Sequence, residues 1–308
     1  MKNASVSNIP NLAVMIRPAA FGFNAQTAES NSFQNNISIE NTNKKAQLEF
    51  DRMVEKMKNQ ELDVQVFEDL KNDLPDSVFC NNWMIHLPEK KVAVFPMCTP
   101  NRRAEVRTDI TDWIMEQTET EEFVDLRTAL EQNHFLEGTG SIVFDYRNKT
   151  AYAAESPRTN ITLFEKFCAE IEYTPVSFQS NDLKGGLIYH TNVMLTIADQ
   201  FALVCLESIP DLVERNMLLQ HLEKSGHLVI PISYAQMDQF AGNCIELLNK
   251  KNQPFLLMSS TAFNALNAEQ KKQINQFEEI LHFDIPTIES IGGGSVRCMI
   301  TGIFNYPR

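Results

Sequence analysis

Apolar and polar positions along this chain alternate in blocks that return. Four times, a short polar motif runs into an apolar stretch, a polar turn and a second apolar stretch. The first block is Val78-Phe79-Cys80-Asn81-Asn82-Trp83-Met84-Ile85-His86, a turn over 88–91, then Val92-Ala93-Val94-Phe95. The second runs from Phe135 to Phe144, turns over 147–150 and continues through Ala151–Ala154. The third runs from Tyr189 to Leu195, turns over 198–200 and continues through Phe201–Cys205. The fourth runs from Phe240 to Leu248, turns over 250–254 and continues through Phe255–Met258. Short apolar runs joined by polar turns predict hairpins. Between them the apolar spacing changes to i, i+3, i+4, as in Thr108-Asp109-Ile110-Thr111-Asp112-Trp113-Ile114-Met115, which predicts a helix. Ser208 ahead of Pro210 marks another helix start.

The polar motifs recur with a nearly constant period. Asn82 to Glu137 is 55 residues, Glu137 to His190 is 53, and His190 to Asn243 is 53. A period of this size, with a hairpin and a helix per unit, predicts a repeat architecture. The ends complete a fifth unit. Ser290–Ile300 supplies a polar motif and a first strand, and Asn11–Arg17 supplies a strand followed by a helix over Lys44–Lys58. Pairing the two ends closes a ring and removes exposed sheet edges. The fold expected is therefore α/β: a five-bladed, pseudo-fivefold β/α propeller, one catalytic domain over residues 1–308. The alternative is an ordinary α/β sheet with coincidental spacing. In a ring, polar motifs at equivalent strand ends point toward the axis, where a site would form.

Composition narrows the function. The 308 residues are 43% apolar and 22% charged, enough for a sizeable core. Lys plus Arg number 27 against 40 Asp plus Glu, a net charge of −13. That balance argues against nucleic acid or an anionic membrane as partner. No apolar run reaches the roughly 20 residues that span a bilayer. The start, Met1–Ser7, lacks the apolar core of an export signal, so a cytoplasmic protein is expected. The six cysteines, at 80, 98, 168, 205, 244 and 298, form no C-x-x-C pair and no metal-ligand spacing. Free thiols are expected, with no metal or cofactor. The expected partner is a small amino-acid substrate, and a homo-oligomer is left open.

Asn82, Glu137, His190, Asn192 and Cys298 would converge at the ring's centre. A Cys with a His and a carboxylate supplies a nucleophile, a general acid/base and an orienting group. Cys298 follows Gly292-Gly293-Gly294-Ser295, a run whose backbone can approach a ligand closely. Taken singly, each residue has a plain reading: a buried thiol, a satisfied core histidine, a turn carboxylate. Their joint occurrence at equivalent points of a repeat favours chemistry.

Phe135-Leu136-Glu137-Gly138-Thr139-Gly140-Ser141 resembles the Leu-Glu-Gly-Gly-Asp signature of the guanidino-group-modifying superfamily, the penteins. That superfamily includes arginine deiminases, dimethylarginine dimethylaminohydrolases, agmatine deiminases and amidinotransferases. His190-Thr191-Asn192 resembles its His-x-Asp motif, and the glycine run before Cys298 resembles its nucleophile segment. Arg17-Pro18-Ala19-Ala20-Phe21-Gly22-Phe23-Asn24, Asn31-Ser32-Phe33-Gln34, Val78–Trp83 and Pro100–Arg107 are most similar to an arginine-deiminase-related branch, the citrulline-utilisation hydrolases. The resemblance implies the pentein fold. It also implies Cys298 as nucleophile, His190 as general acid/base and Glu137 as its orienting partner. Arg102 or Arg103 would clamp a substrate carboxylate, and backbone donors near Gly293 and Gly294 would stabilise a tetrahedral intermediate.

The departures are informative. Guanidine-processing members hold the cationic headgroup with two aspartates, and here both positions carry amides, Asn82 and Asn192. A buried guanidinium needs a compensating charge. Two amides instead suit a neutral ureido group, as in citrulline. Asp76 restores one charge if it faces the site. The expected reaction is citrulline hydrolysis to ornithine, ammonia and carbon dioxide. The competing readings are an arginine or methylarginine hydrolase, an amidinotransferase and a non-catalytic binding ring. An acidic residue in contact with the headgroup pocket would favour the guanidine reading.

Overall fold

Fifteen short strands gather by threes into five separate sheets in this computed structural model, which describes residues 7–37 and 40–308. β1 (Leu12–Arg17) and β2 (Asp63–Glu68) begin the chain. β3 (Met84–Leu87), β4 (Lys91–Val94) and β5 (Glu122–Asp125) form the second sheet. β6 (Ile142–Asp145), β7 (Thr150–Ala154) and β8 (Thr174–Phe178) form the third. β9 (Leu195–Ile197), β10 (Phe201–Val204) and β11 (Leu228–Pro231) form the fourth. β12 (Ile245–Leu248), β13 (Pro254–Ser259) and β14 (Glu279–Phe283) form the fifth. In each, the first two strands are an antiparallel hairpin, and the third runs parallel to the second after a helical crossover. Polar residues in left-handed conformation, Lys90 (φ 59°), Lys149 (φ 48°) and Asn252 (φ 58°), shape three of the hairpin turns.

The two ends of the chain build the remaining sheet between them. β15 (Thr301–Ile303) pairs antiparallel with β1, Leu12 opposite Ile303 and Val14 opposite Thr301. The helix Thr42–Asn59 then crosses to β2, which lies parallel to β1. Its Ala46, Phe50, Met53 and Met57 recur at helical spacing and are buried, which is why this stretch folds as a helix against the sheet. Leu248 N donates to Pro10 O at 2.9 Å, and Phe304 N donates to His86 Nδ1 at 3.0 Å. These bonds tie the closing sheet to the fifth and second sheets. Five like units in a pseudo-fivefold arrangement result, a mixed α/β fold, in place of one continuous sheet.

Three details depart from the sequence expectation. The third strands went unread, because as edge strands they bury little: in β5 only Val124 is buried. The helix Leu212–Lys224 is capped by Asp211, whose carboxylate accepts from Val213 N and Glu214 N. Ser208 instead closes a preceding 3-10 turn, donating to Cys205 O at 2.7 Å. In the last unit, Ser290–Ile300 is not a strand; it forms a wide helical turn to Gly292 and a 3-10 turn over Val296–Met299, and pairing begins at Thr301. The absence of an export leader was read mainly from Met1–Val6, outside the described residues. No helix among the described residues is long and apolar enough to cross a membrane.

Deleting the chain from Thr301 onward should open the ring. It removes the buried Ile303 and Phe304 and leaves β1 paired on one side only. With about 1.5–3 kcal/mol per large apolar side chain, the loss should be several kcal/mol. A thermal melt followed by circular dichroism checks this; an unchanged midpoint would show that closure contributes nothing.

Candidate active site

The polar motif ahead of each first strand curls into a short turn: Cys80–Asn82, Gly138–Ser141, Thr191–Val193 and Val296–Met299, with Phe240–Asn243 in the remaining unit. Neighbouring turns hold one another by hydrogen bonds. Asn81 Nδ2 donates to Thr139 Oγ1 at 3.1 Å and Thr191 Oγ1 to Ser141 O at 2.6 Å. Asn243 Nδ2 donates to Asn192 O at 3.2 Å, and its Oδ1 accepts from Arg297 N at 3.1 Å. Cys80 Sγ, 3.5 Å from Met299 O, completes the circle. The spacing of 53 to 55 residues therefore reflects one polar turn per unit, each needed to hold the next.

Glu137, fully buried, lies at the centre. Its Oε2 is 2.8 Å from His190 Nε2 and 3.5 Å from Arg158 Nη1, and its Oε1 accepts from Cys98 N at 2.9 Å. Burial alone would raise its pKa. Arg158, His190 and Arg102 outweigh that and hold the carboxyl well below the usual range. An ionised carboxylate only accepts, so His190 Nε2 carries the ring proton and Nδ1 keeps a lone pair. Burial pushes the His190 pKa down to about 4, against the pull of Glu137, so the ring is neutral at neutral pH. Gly140 makes room for this pair. A methyl group there would overlap Asn82 Nδ2 and come within 2.7 Å of His190 Nδ1 and Cε1.

Cys298 is buried on the last of these turns. Its sulfur lies 3.3 Å from Asn243 Nδ2 and 3.6 Å from Asn192 Nδ2. Cys298, His190, Asn82, Asp76, Arg102 and Gly292–Gly294 line one cleft of about 240 Å³, together with Asn31, Phe79, Arg158 and Tyr189. Glu137 stands behind His190, and Asn192 beside the sulfur.

The headgroup positions are asymmetric. Asn82 Oδ1 accepts from Arg102 Nη1 at 2.7 Å. A guanidinium can only donate, so this bond fixes the amide and leaves Asn82 Nδ2 buried without a partner. Asn192, expected as the second headgroup contact, does not line this cleft; its Oδ1 is buried without a partner and its Nδ2 turns to the sulfur. Asp76 does face the cleft. Its Oδ2 accepts from Asn24 Nδ2 at 2.7 Å and Thr27 Oγ1 at 3.2 Å, while Oδ1 has no partner. Burial raises its pKa, against the pull of Arg102.

Three expected roles change. Arg102 lines the cleft but is committed to Glu105 at 2.8 Å, Phe79 O at 3.0 Å and Asn82, so it is not a free carboxylate clamp. Arg103 lies outside the cleft, donating to Met97 O at 2.9 Å and Cys98 O at 2.8 Å. It braces the segment whose Cys98 N–H reaches Glu137. Gly293 (φ 65°) donates its N–H to Glu289 O at 2.9 Å, so that N–H is not available to an oxyanion. Its carbonyl accepts from the Tyr189 hydroxyl at 2.6 Å, and Gly294 packs on the Phe79 ring. Sequence reasoning missed Arg158, which stands in no motif. It also missed Asn243 as a site residue, although the repeat period points straight at it.

A family model described as N,N dimethylarginine dimethylhydrolase, eukaryotic, matches residues 17–305. No curated protein matches the chain. Among solved structures, ArgZ, a cyanobacterial arginine dihydrolase of the ornithine-ammonia cycle, is similar with a TM-score of 0.75 at 16% identity, covering 95% of this chain and 40% of ArgZ. The chain thus spans about two fifths of full-length ArgZ, whose N-terminal domain alone, solved bound to substrate, matches over 97% of that domain at 15% identity and a TM-score of 0.75. The Pseudomonas aeruginosa DDAH, solved with citrulline, has a TM-score of 0.66 at 13% identity, covering 96% of this chain and 99% of that one. At these identities the structures show a shared fold.

Gly140→Ala should separate the site from the fold. The added methyl displaces Asn82 or His190, and loss of acid/base positioning is worth about 10²–10⁴-fold in rate. A folded Gly140→Ala variant with wild-type hydrolysis rates would contradict this packing.

Proposed function

The chain belongs to the eukaryotic N,N-dimethylarginine dimethylhydrolase family, within the guanidino-modifying pentein superfamily of cysteine-dependent C–N hydrolases, and from that premise we propose that it cleaves the terminal C–N bond of a ureido amino acid, citrulline being the favoured substrate. We read the chain as one catalytic domain and its five sheets as propeller blades. The observation that carries the reading is the orientation of Asn82. Arg102 turns its amide so that an N–H₂ donor faces the cleft, and a donor matches a carbonyl oxygen but opposes a guanidinium, which has only donors.

Chemistry follows from this placement. His190 Nδ1 takes the thiol proton as Cys298 sulfur attacks the ureido carbon, and the charge on oxygen meets Asn82 Nδ2. His190 then gives the proton to the departing amine as the C–N bond breaks, leaving an S-acyl enzyme. Water, deprotonated by His190, adds to that carbon and the C–S bond breaks. The carbamic acid so released breaks down by itself into its remaining amine and carbon dioxide, so citrulline yields ornithine, ammonia and carbon dioxide. Glu137 acts through His190, fixing its tautomer and stabilising the imidazolium.

A second reading rests on Asp76. Its unpartnered Oδ1 is the acidic contact that would hold a guanidinium, and arginine is the substrate named for the dihydrolase neighbours. The two readings part in one experiment. Purified protein should release ornithine from citrulline with a higher kcat/KM than from arginine, and Cys298→Ser should abolish both. Asn82→Asp should move the citrulline/arginine ratio toward arginine by about tenfold or more, since a charge-assisted hydrogen bond is worth about 1.5–3 kcal/mol. A wild-type preference for arginine would replace the ureido reading with the Asp76 one.

The pH profile tests His190. Its folded pKa of about 4 lies below the ordinary 6.5, so the base form persists as pH falls through the usual histidine range. The acid limb of kcat/KM should lie near 4; a limb at 6.5 would contradict the buried, neutral imidazole.

A further inference from the structure

A second, larger cavity runs along the first strands β3, β6, β9, β12 and β15, away from the substrate cleft. Asn192 and Thr139, both on the ring of turns, form part of its wall. Its lining mixes apolar side chains with polar and charged ones, among them Asp145, Asp199, Glu246, Arg147 and Arg297.

Arg297 is the group left unexplained. It is half-buried, and its guanidinium donates from Nη1 to Ile300 O at 3.0 Å. Among the described residues it has no ion-pair partner. The acidic residues around the same cavity are already engaged. Asp145 takes Asn148 N at 3.0 Å and Asn148 Nδ2 at 2.8 Å, Glu246 takes Asp199 N at 2.7 Å, and Asp199 takes Gln200 Nε2. A desolvated cation without a counterion is costly. Beside it, Tyr146 lines the cavity with its ring 4.6 Å from that of Phe304, and among the described residues its hydroxyl has no hydrogen-bond partner. Burial pushes the Tyr146 pKa up to about 12, against the pull of Arg297, so the hydroxyl is a neutral donor. A guanidinium and a phenol facing one cavity form a receptor for a planar anion.

We propose that this cavity binds a small carboxylate with an apolar body, its carboxylate on Arg297 and Tyr146 and its body against Phe144, Ile197, Ile245 and Phe304. The site lies outside the reacting cleft, yet it is mechanically close to the sulfur. Arg297 N donates to Asn243 Oδ1 at 3.1 Å, and Asn243 Nδ2 reaches Cys298 Sγ at 3.3 Å. An anion that shifts Arg297 therefore shifts the amide that supports the nucleophile.

Benzoate is the probe, with benzamide as its neutral isostere, titrated calorimetrically into the full-length protein. Benzoate should bind at millimolar concentration, benzamide should not, and saturating citrulline should not displace benzoate. Loss of a charge-assisted contact in Arg297→Met should weaken benzoate by about tenfold or more, and loss of one neutral hydrogen bond in Tyr146→Phe by about threefold. Should Arg297→Met not fold, the benzamide and Tyr146→Phe comparisons still decide. No benzoate binding, equal binding of benzamide, unchanged affinity in Tyr146→Phe, or displacement by citrulline would each overturn the proposal. The readout is binding, so it stands whether or not the chain turns over citrulline.

Discussion

A carboxylate removed from water keeps its charge only where neighbouring donors outweigh the lost hydration, and the centre of this ring is arranged to meet that condition for Glu137. Arg158, the His190 ring and Arg102 do it, and the Cys98 amide donates to the same carboxylate. Arg158 is itself buried and anchored, donating to Ser30 Oγ at 2.7 Å and Thr27 O at 3.0 Å. The tautomer of His190 follows from the charge of Glu137, and the side of the ring offered to the cleft follows from the tautomer. Loss of Arg158 would thus disturb the imidazole without touching it.

The same economy of charge governs the rest of the cleft. Arg102 is matched by Glu105 and Arg158 by Glu137, which leaves Asp76 as the acid without a dedicated basic partner at short range. The amides do what the arginines cannot. Asn82 is oriented by Arg102, and Asn192 and Asn243 both turn N–H groups to the sulfur. The site therefore presents oriented neutral dipoles as well as net charge.

The hairpins were legible in the sequence because their strands are buried on both faces: every residue of β7 and of β10 is buried, so the apolar run is continuous. The closing pair was legible because a strand at each end lacked a partner. The outer strands were not, since a four-residue edge strand such as Glu122–Asp125 carries one buried side chain and no periodic signal. In the site, Cys298, His190 and Glu137 could be placed because each stands in a motif at a repeat-equivalent point. Asp76 was placed by nearness to the first motif. Arg158 could not be placed, because its role depends on a fold that carries it across to Ser30 and Glu137. Nor could Gly293 be read correctly: its N–H is spent on Glu289 O by a helical turn that local sequence did not reveal.

The pairing of β1 with β15 also sets an order of events. β1 leaves the ribosome well before its antiparallel partner. Contacts between residues so far apart in sequence are the slow step of folding, and chains awaiting them expose unpaired edges. Until β15 is made, that edge of β1 stands open, and Cys298 is made only just before it. Cys298, three residues before β15, is thus delivered by the same segment that seals the ring. A chain that stops short of this segment carries His190 and Glu137 in an open ring without Cys298.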